Sequence, residues 1–146
     1  IAIGIASTVK DLGYKPRVAL LSFSNFGSLS RPSSKDLKEA VNILDKKQVD
    51  FEFDGEMTPE VALDYDLIKE NYPFCRLSGP ANVLIMPSLL AANISFKLLQ
   101  KLSGGSILGP LMIGGEKPFQ IVQMGSSVSD IVNAASIATY NAIFSK

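Results

Sequence analysis

Two short clusters of polar residues in this sequence have the types and spacing to do chemistry. The first, Ser24–Ser28 (SNFGS), follows an apolar run and combines two hydroxyls with a glycine. An anion needs donors that no side chain covers, so hydroxyls and amides opened by glycine could hold a phosphate group. The segment matches neither the Walker pattern nor the dinucleotide fingerprint, and a plain solvated turn is the alternative.

The second cluster places the carboxylates of Asp54 and Glu56 on either side of Gly55. Two carboxylates beside a turn could bind a metal or act as an acid and a base. The pattern favours the simpler alternative, a turn at a strand end with solvated charges. We therefore expect no metal site in this chain.

Nucleophilic chemistry has little support in the residue types. The only cysteine, Cys75, stands next to Arg76, and a neighbouring cation could lower the pKa of its thiol. The sequence has no histidine, which removes the commonest general base and the usual zinc ligands. A buried or half-buried structural thiol is the favoured interpretation. A lone cysteine forms no internal disulfide, which fits a reducing cytoplasm.

Length and charge limit the partners. The 146 residues fit one compact domain, and 14 basic residues balance 14 acidic ones. No basic field exists to hold a nucleic-acid backbone or an anionic membrane. The longest apolar stretch, Val83 to Phe96, is interrupted by polar residues and is too short to span a bilayer. The sequence starts at Ile1 in what reads as the middle of a helix, so we expect a longer parent chain.

Alternating strands and helices are predicted to position the polar clusters. The first helix should end at Gly13, and Arg17–Phe23 predicts a strand buried on both faces. Later segments predict, in order, a strand that ends in a turn at Asp54-Gly55, a helix that starts at Thr58-Pro59, a strand in NVLIMP, a short strand in SILGP, and a helix from Asp130 to Phe144 capped by Ser129.

This order predicts an α/β sandwich with a mostly parallel sheet. Ligands bind such sheets beyond the carboxyl ends of their strands. Three segments should therefore converge there, namely SNFGS, MPSLLAAN and GPLMIGG.

Five motifs in one order resemble the phosphate acetyl/butyryl transferase family: RVALLSFSNFGS, FEFDGEMTPEVA, the long segment RLSGPANVLIMPSLLAANISFKLLQKLSGGSILGPL, KPFQIV and SDIVN. The segments SFSNFGS, DGEM and YPFCRLSGPANVL are most similar to the C-terminal extension of long bacterial NADP-dependent malic enzymes. The resemblance implies a three-layer α/β/α sandwich, isocitrate/isopropylmalate dehydrogenase-like, as in phosphotransacetylases. Residues 1–122 would form the second, inserted domain, and residues 123–146 a helical segment that returns to the first domain.

The resemblance also implies a set of residues that bind an acyl-CoA and phosphate. By family position these are Ser22, Ser24, Asn25, Gly27, Ser28, Pro87, Asn93, Lys101, Gly109, Pro110 and Asp130. The chain departs from the family at four of these or neighbouring positions. Asn25 replaces a small or hydroxylated residue, Ser88 replaces an aspartate and Ala92 replaces a glycine. Lys101 replaces an arginine near the CoA phosphates, which keeps the charge but loses the bidentate fork.

The most consequential departure precedes the last helix. Active transferases carry Ser-Arg-Gly there and an aspartate a few residues on, whereas this chain has Gln123-Met124-Gly125 and then Asp130. The family arginine is understood to stabilise charge that develops during acyl transfer, and methionine cannot do so. We therefore assign no catalytic residue. Asp130 stands at the family's aspartate position, and a helix cap is its alternative role.

The resemblance thus implies a regulatory domain that senses acetyl-CoA and helps a homodimer or larger homo-oligomer to form. The parent would convert malate to pyruvate and CO2, with NADP and Mg²⁺ or Mn²⁺ bound upstream of this chain. A working phosphate acetyltransferase is the alternative, and a purely oligomerising module is the third possibility. Neither nucleic acid nor a membrane is expected as a partner.

Overall fold

The computed structural model describes residues 1–28, 32–104 and 107–144, and the side chains of residues 32–34 lie outside the description. The chain forms two compact units, Ile1–Ser95 and Phe96–Lys146. The elements are α1 (Ala2–Asp11), β1 (Arg17–Leu21), α2 (Pro32–Lys46), β2 (Glu52–Met57), α3 (Pro59–Leu63), α4 (Tyr65–Asn71), β3 (Val83–Ile85), α5 (Leu89–Leu102) and α6 (Val128–Phe144).

The three strands form a parallel sheet in the order β2-β1-β3. Side chains of the central strand alternate between its faces, as the two-residue period of a strand requires. Val18 lies in one core cluster with residues of α1 and α2, whereas Ala19 lies in the other with residues of α3 and α4. The sheet is therefore covered by helices on both faces. The predicted three-layer α/β fold with a parallel sheet is confirmed.

Helix α1 ends as the sequence predicts. Gly13 has a φ of +85°, and the amide of Tyr14 donates to the carbonyl of Val9 over 3.1 Å. A residue without a β-carbon adopts this left-handed conformation without steric cost, which lets the chain close the helix and turn into β1.

The turn predicted at Asp54-Gly55 is wrong, because β2 continues through both residues to Met57. Leu20 of β1 pairs with Gly55 and Leu21 pairs with Met57, so Glu56 is an extra residue in the strand. A β-carbon on Gly55 would lie 2.7 Å from the carbonyl oxygen of Leu20. The glycine therefore serves close approach of two strands at a bulge, not a turn.

Two predicted helix boundaries also differ from the structure. The helix expected after Thr58-Pro59 is two helices, because the side chain of Asp64 accepts the amide of Leu67 over 3.0 Å and begins α4. The last helix starts at Val128, and Ser127 rather than Ser129 caps it. The hydroxyl of Ser127 accepts the amide of Asp130 over 3.2 Å.

The strand predicted in SILGP is wrong for the described residues, since 107–127 contain no strand. The side chain of Gln120 instead bonds both backbone groups of Met112, with contacts of 2.9 and 3.1 Å. A side-chain amide thus takes the place of a neighbouring strand. The predicted domain boundary at residues 122/123 stays a prediction. No helix in the described ranges is long and apolar enough to cross a membrane.

Candidate functional site

The segment Ser22–Ser28, here called the ligand loop, leaves β1 at its carboxyl end. The amide of Ser22 donates to the carbonyl of Met57 over 2.8 Å, so the loop begins as an extension of the sheet. Phe26 and Gly27 both have positive φ, +48° and +82°, which folds the loop back on itself. Ser22 and Ser24 are buried, and Ser28 is exposed.

Glu56, in β2, holds the ligand loop in place through hydrogen bonds. Its side chain is 0% exposed, and Oε1 accepts the hydroxyl of Ser24 over 3.1 Å and the amide of Gly27 over 3.2 Å. The carbonyl of Glu56 accepts the amide of Phe26 over 2.7 Å. The expectation of a solvated carboxylate is therefore wrong for Glu56, because the β2 bulge places this extra residue under the loop. Sequence reasoning read Asp-Gly as a turn and so missed this role.

Two buried acceptors in this region have no hydrogen-bond partner among the described residues, Oε2 of Glu56 and Oγ1 of Thr58. An unsatisfied buried polar group typically costs about 1–3 kcal/mol, so such groups are uncommon in the interior. Thr58 occupies the N-cap position of α3 without making the side-chain cap bond that the sequence predicts. The base of the ligand loop therefore keeps spare hydrogen-bonding capacity.

The loop amides do not form the phosphate cradle that the sequence suggested. The amides of Phe26 and Gly27 donate to Glu56, and that of Ser28 donates to the carbonyl of Asn25 over 2.9 Å. The amide of Asn25 donates to the hydroxyl of Ser28 over 3.3 Å. Within residues 25–28 an anion would consequently have to be held by side chains.

Asn25 connects the ligand loop to α3. Its Oδ1 accepts the amide of Thr58, the residue before that helix, over 2.7 Å. A helix start exposes amides without intrahelical partners, and Asn25 satisfies one of them from outside the helix. The amide nitrogen of Asn25 is then its remaining side-chain donor.

Asp54 is also buried, which contradicts the expected solvated charge. Its Oδ2 accepts the amide of Arg76 over 2.8 Å, and Oδ1 lies 3.2 Å from Nη2 of the same residue. Nη1 of Arg76 bonds Asp45 on α2 over 2.6 Å. Asp54 therefore ties β2 to the segment before β3, and the two carboxylates of the DGE cluster serve separate structural partners.

Cys75 is half-buried beside this ion pair. Burial, with a further contribution from the charge of Asp54, raises the pKa of its thiol to about 11 against the opposite effect of Arg76. The neighbouring cation therefore does not produce a thiolate at neutral pH. The thiol matches the structural role predicted for it.

The segment after β3 starts α5. Because β1 and β3 are adjacent and parallel, SNFGS and MPSLLAAN lie at the same edge of the sheet, as predicted for these two segments. Ser88 supplies the cap that an aspartate would, since its hydroxyl accepts the amide of Ala91 over 3.2 Å. Pro87 and Asn93 are exposed on either side of this cap. GPLMIGG belongs to the other unit, and its convergence stays a prediction.

In the second unit five of the singled-out residues line one pocket of about 180 Å³. They are Gly109, Pro110, Gln123, Met124 and Asp130. Lys101 is exposed in the last turn of α5 and does not line it, whereas its neighbour Gln100 does.

Among the residues that the structure describes, Asp130 is the only ionisable side chain in that lining. Its Oδ2 accepts the hydroxyl and the amide of Ser127 over 2.8 and 2.9 Å, and these bonds lower the pKa of the carboxyl group. The two residues form a reciprocal cap at the start of α6. The predicted capping role of Asp130 is confirmed, and the described lining of the pocket contains a carboxylate but no cation.

Comparison with known proteins supplies the relatives of this chain. The pattern of the phosphate acetyl/butaryl transferase family matches residues 1–139. An NADP-dependent malic enzyme of Rhizobium meliloti is 53% identical over 97% of the chain, which spans 18% of that protein. A phosphate acetyltransferase of Borreliella burgdorferi is 38% identical over 94% of the chain, which spans 39% of that protein.

A solved structure supports the same family. A phosphotransacetylase from Streptococcus pyogenes superposes with a TM-score of 0.91 at 33% identity, over 99% of this chain and 44% of its own. The chain thus spans less than half of each of these relatives. The resemblance to the C-terminal extension of malic enzymes, predicted from SFSNFGS and DGEM, is confirmed.

Proposed function

Because the chain belongs to the phosphate acetyl/butaryl transferase family, we propose that it is the acetyl-CoA-sensing domain of a longer NADP-dependent malic enzyme. In this proposal the parent converts malate to pyruvate and CO2. NADP and Mg²⁺ or Mn²⁺ bind in its upstream part, and acetyl-CoA is the effector of this domain. The domain also helps to hold the parent's homodimer or larger homo-oligomer together. The 53% identity to the Rhizobium meliloti malic enzyme supports this parent.

The observation that carries the sensing role is Met124 in the pocket of the second unit. Acyl transfer to phosphate gathers negative charge, and a transferase stabilises it with a cation at the reacting oxygen. The pocket offers Met124 and Gln123 beside the carboxylate of Asp130, and within the described ranges no lysine or arginine lines it. Loss of one such donor typically reduces the rate by about 10²–10³. A family member with this lining is better suited to binding than to transfer.

Sensing requires acetyl-CoA to bind one arrangement of the assembly more tightly than another. The coupling is reciprocal, so substrates of the dehydrogenase must change the affinity for acetyl-CoA by the factor by which acetyl-CoA changes theirs. A typical coupling of about 1–3 kcal/mol corresponds to a change of roughly 5–150-fold in affinity.

The test uses the full-length protein that carries this chain. Formation of NADPH from malate is followed with and without acetyl-CoA, and formation of acetyl-CoA from acetyl phosphate and CoA is followed in parallel. The proposal expects acetyl-CoA to alter the first rate and the second to be undetectable. An unaltered malate rate, with saturating acetyl-CoA, rejects the sensing role.

The alternative is a working phosphate acetyltransferase. The likeness to phosphate acetyltransferases at 38% identity favours it, and the lining of the pocket argues against it. Robust formation of acetyl-CoA in the same assay would establish this alternative in place of the sensor.

A further inference from the structure

Lys38, in α2, reaches the ligand loop at Gly27. A β-carbon at position 27 would lie 2.7 Å from Nζ of Lys38 and 3.3 Å from its Cε. The ammonium group therefore occupies the space that any other residue at position 27 would fill. The sequence alone gave no sign of this contact, because Lys38 is one of several lysines on a charged helix face.

In the part of the chain that the structure describes, Lys38 is one of several lysines without an ion pair to a carboxylate, unlike Lys10, Lys15 and Lys69. Its ammonium group lies against the loop at Gly27. Gly27 directs its amide to Glu56 and its open α-carbon side to Lys38.

The amides of residues 25–28 and the hydroxyl of Ser24 all donate within the chain, which leaves neutral side-chain donors such as the amide nitrogen of Asn25. No residue of the loop Ser22–Ser28 carries a positive charge. A charged donor for an anion at this loop must therefore come from outside it. An ammonium group is a compact point charge with three donors and suits a phosphate oxygen.

We propose that Lys38 binds a phosphate oxygen of the acyl-CoA effector beside Gly27. This inference rests on the proposed function, and it assigns the ligand loop to a phosphate-bearing part of the effector. Glu56 and Gly27 act as positioning residues, because Glu56 holds the loop in place and Gly27 leaves room for the ammonium group.

The experiment compares Lys38→Gln with the unaltered full-length protein by calorimetric titration. Two probes are used, acetyl-CoA and S-acetylpantetheine, which keeps the acetyl thioester and lacks every phosphate. Loss of one charge-assisted hydrogen bond should weaken acetyl-CoA binding by about tenfold. Binding of S-acetylpantetheine should stay the same. Lys38→Arg should retain most of the affinity for acetyl-CoA.

Lys46→Gln is the matched control, since Lys46 is an exposed lysine in the last turn of the same helix. It should leave the affinity for acetyl-CoA unchanged. Equal affinities of Lys38→Gln and unaltered protein for acetyl-CoA overturn the inference and leave the sensing role standing. Equal losses with both probes, or in both lysine variants, also overturn it. No binding of acetyl-CoA to unaltered protein rejects the proposed function and this inference together.

Discussion

Glu56 is the residue on which the shape of the ligand loop depends most directly. Its Oε1 accepts hydrogen bonds from the hydroxyl of Ser24 and the amide of Gly27, and its backbone carbonyl accepts one from the amide of Phe26. The carboxylate is fully buried, so no solvent can replace it as an acceptor. Removing it leaves buried donors without partners, at a typical cost of about 1–3 kcal/mol each.

Glu56→Ala is therefore expected to open the loop. Hydrogen exchange of the peptide that covers residues 24–28 should accelerate at least about tenfold, as follows from a loss of about 1.4 kcal/mol in local stability. Glu56→Gln should change exchange less, because its carbonyl oxygen can still accept both bonds. Glu70→Ala, at an exposed position of α4, is the control. Unchanged exchange in Glu56→Ala would show that Glu56 does not hold the loop.

Met124 and Gln123 are the residues at which the proposed loss of acyl transfer can be tested. The double variant Gln123→Ser, Met124→Arg introduces the Ser-Arg-Gly motif that the family resemblance implies for active transferases. We expect it to raise the rate of acetyl-CoA formation from acetyl phosphate and CoA by about 10²-fold over unaltered protein, since one oxyanion donor contributes about that much. Gln123→Ser alone should have no such effect. A double variant as inactive as the parent would mean that other groups prevent transfer.

Among single residues, the sequence identified positions better than it identified contacts. Ser24, Asn25 and Gly27 do form a polar loop at the carboxyl end of β1. The sequence places Glu56, the partner of that loop, in solvent, because an Asp-Gly pair at the end of an alternating strand is typical of a turn. Lys38 was missed because contacts between residues 11 positions apart depend on how a loop folds back.

At the scale of elements, β1 and β2 approach each other closely at Gly55. Gly55 has a φ of +153°, and a β-carbon there would lie 2.7 Å from the carbonyl oxygen and 2.8 Å from the β-carbon of Leu20. Both contacts are with parts of the central strand that cannot move without disrupting the core.

Gly55→Ala should thus destabilise the fold by about 2–4 kcal/mol, from overpacking and an unfavourable backbone conformation together. Gly13→Ala is the matched control, because Gly13 also has positive φ but no atom lies within 4 Å of the added β-carbon. It should cost only about 1–2 kcal/mol. The comparison uses urea unfolding midpoints, and equal destabilisation by the two variants would refute the role of strand approach.

Glu52 connects the three strands at their amino ends. Its carboxylate bonds the ammonium of Lys15, before β1, and the hydroxyl and amide of Ser78, before β3. Burial works against the charged form, but the bonds from Lys15 and Ser78 together lower the pKa of Glu52 from 4.5 to about 2. A carboxyl group with a depressed folded pKa stabilises the fold above its unfolded pKa and loses that contribution as the pH falls.

Glu52→Gln should accordingly be less stable than unaltered protein by about 1 kcal/mol near neutral pH. The difference between the two should shrink as the pH falls from about 4.5 to about 2, where the carboxyl group becomes protonated. Thermal melting across this range measures it, with Glu39→Gln on the exposed side of α2 as control. A difference that grows on acidification would contradict the assigned sign.

Sequence periodicity predicts the helices and strands. Side-chain caps set helix boundaries that periodicity does not reveal. The run Arg17–Leu21 is apolar enough to be recognised as a strand buried on both faces. The side chains of Asp64 and Ser127 cap the starts of α4 and α6. Other polar residues that could act as helix caps lie close to both in the sequence. The sequence could not predict the β2 bulge, because the extra residue is evident only from the pairing of β2 with β1.

At the scale of the whole molecule, the two units differ in how much of their apolar surface is covered. The unit Ile1–Ser95 has a core on both faces of the sheet. Helix α6 contains no buried residue, and large apolar side chains such as Ile143 and Phe144 are 64% exposed. Apolar surface of this extent is typical of regions that pack against other protein. It accords with a chain that spans less than half of each relative described above.

The central claim is that the domain binds acetyl-CoA without turning it over. Calorimetric titration of the full-length protein with acetyl-CoA tests this most directly, with the composition of the cell analysed afterwards. The account predicts a saturable heat of binding and intact acetyl-CoA in the presence of phosphate. Absence of heat at millimolar acetyl-CoA, together with no shift in melting temperature, would contradict it.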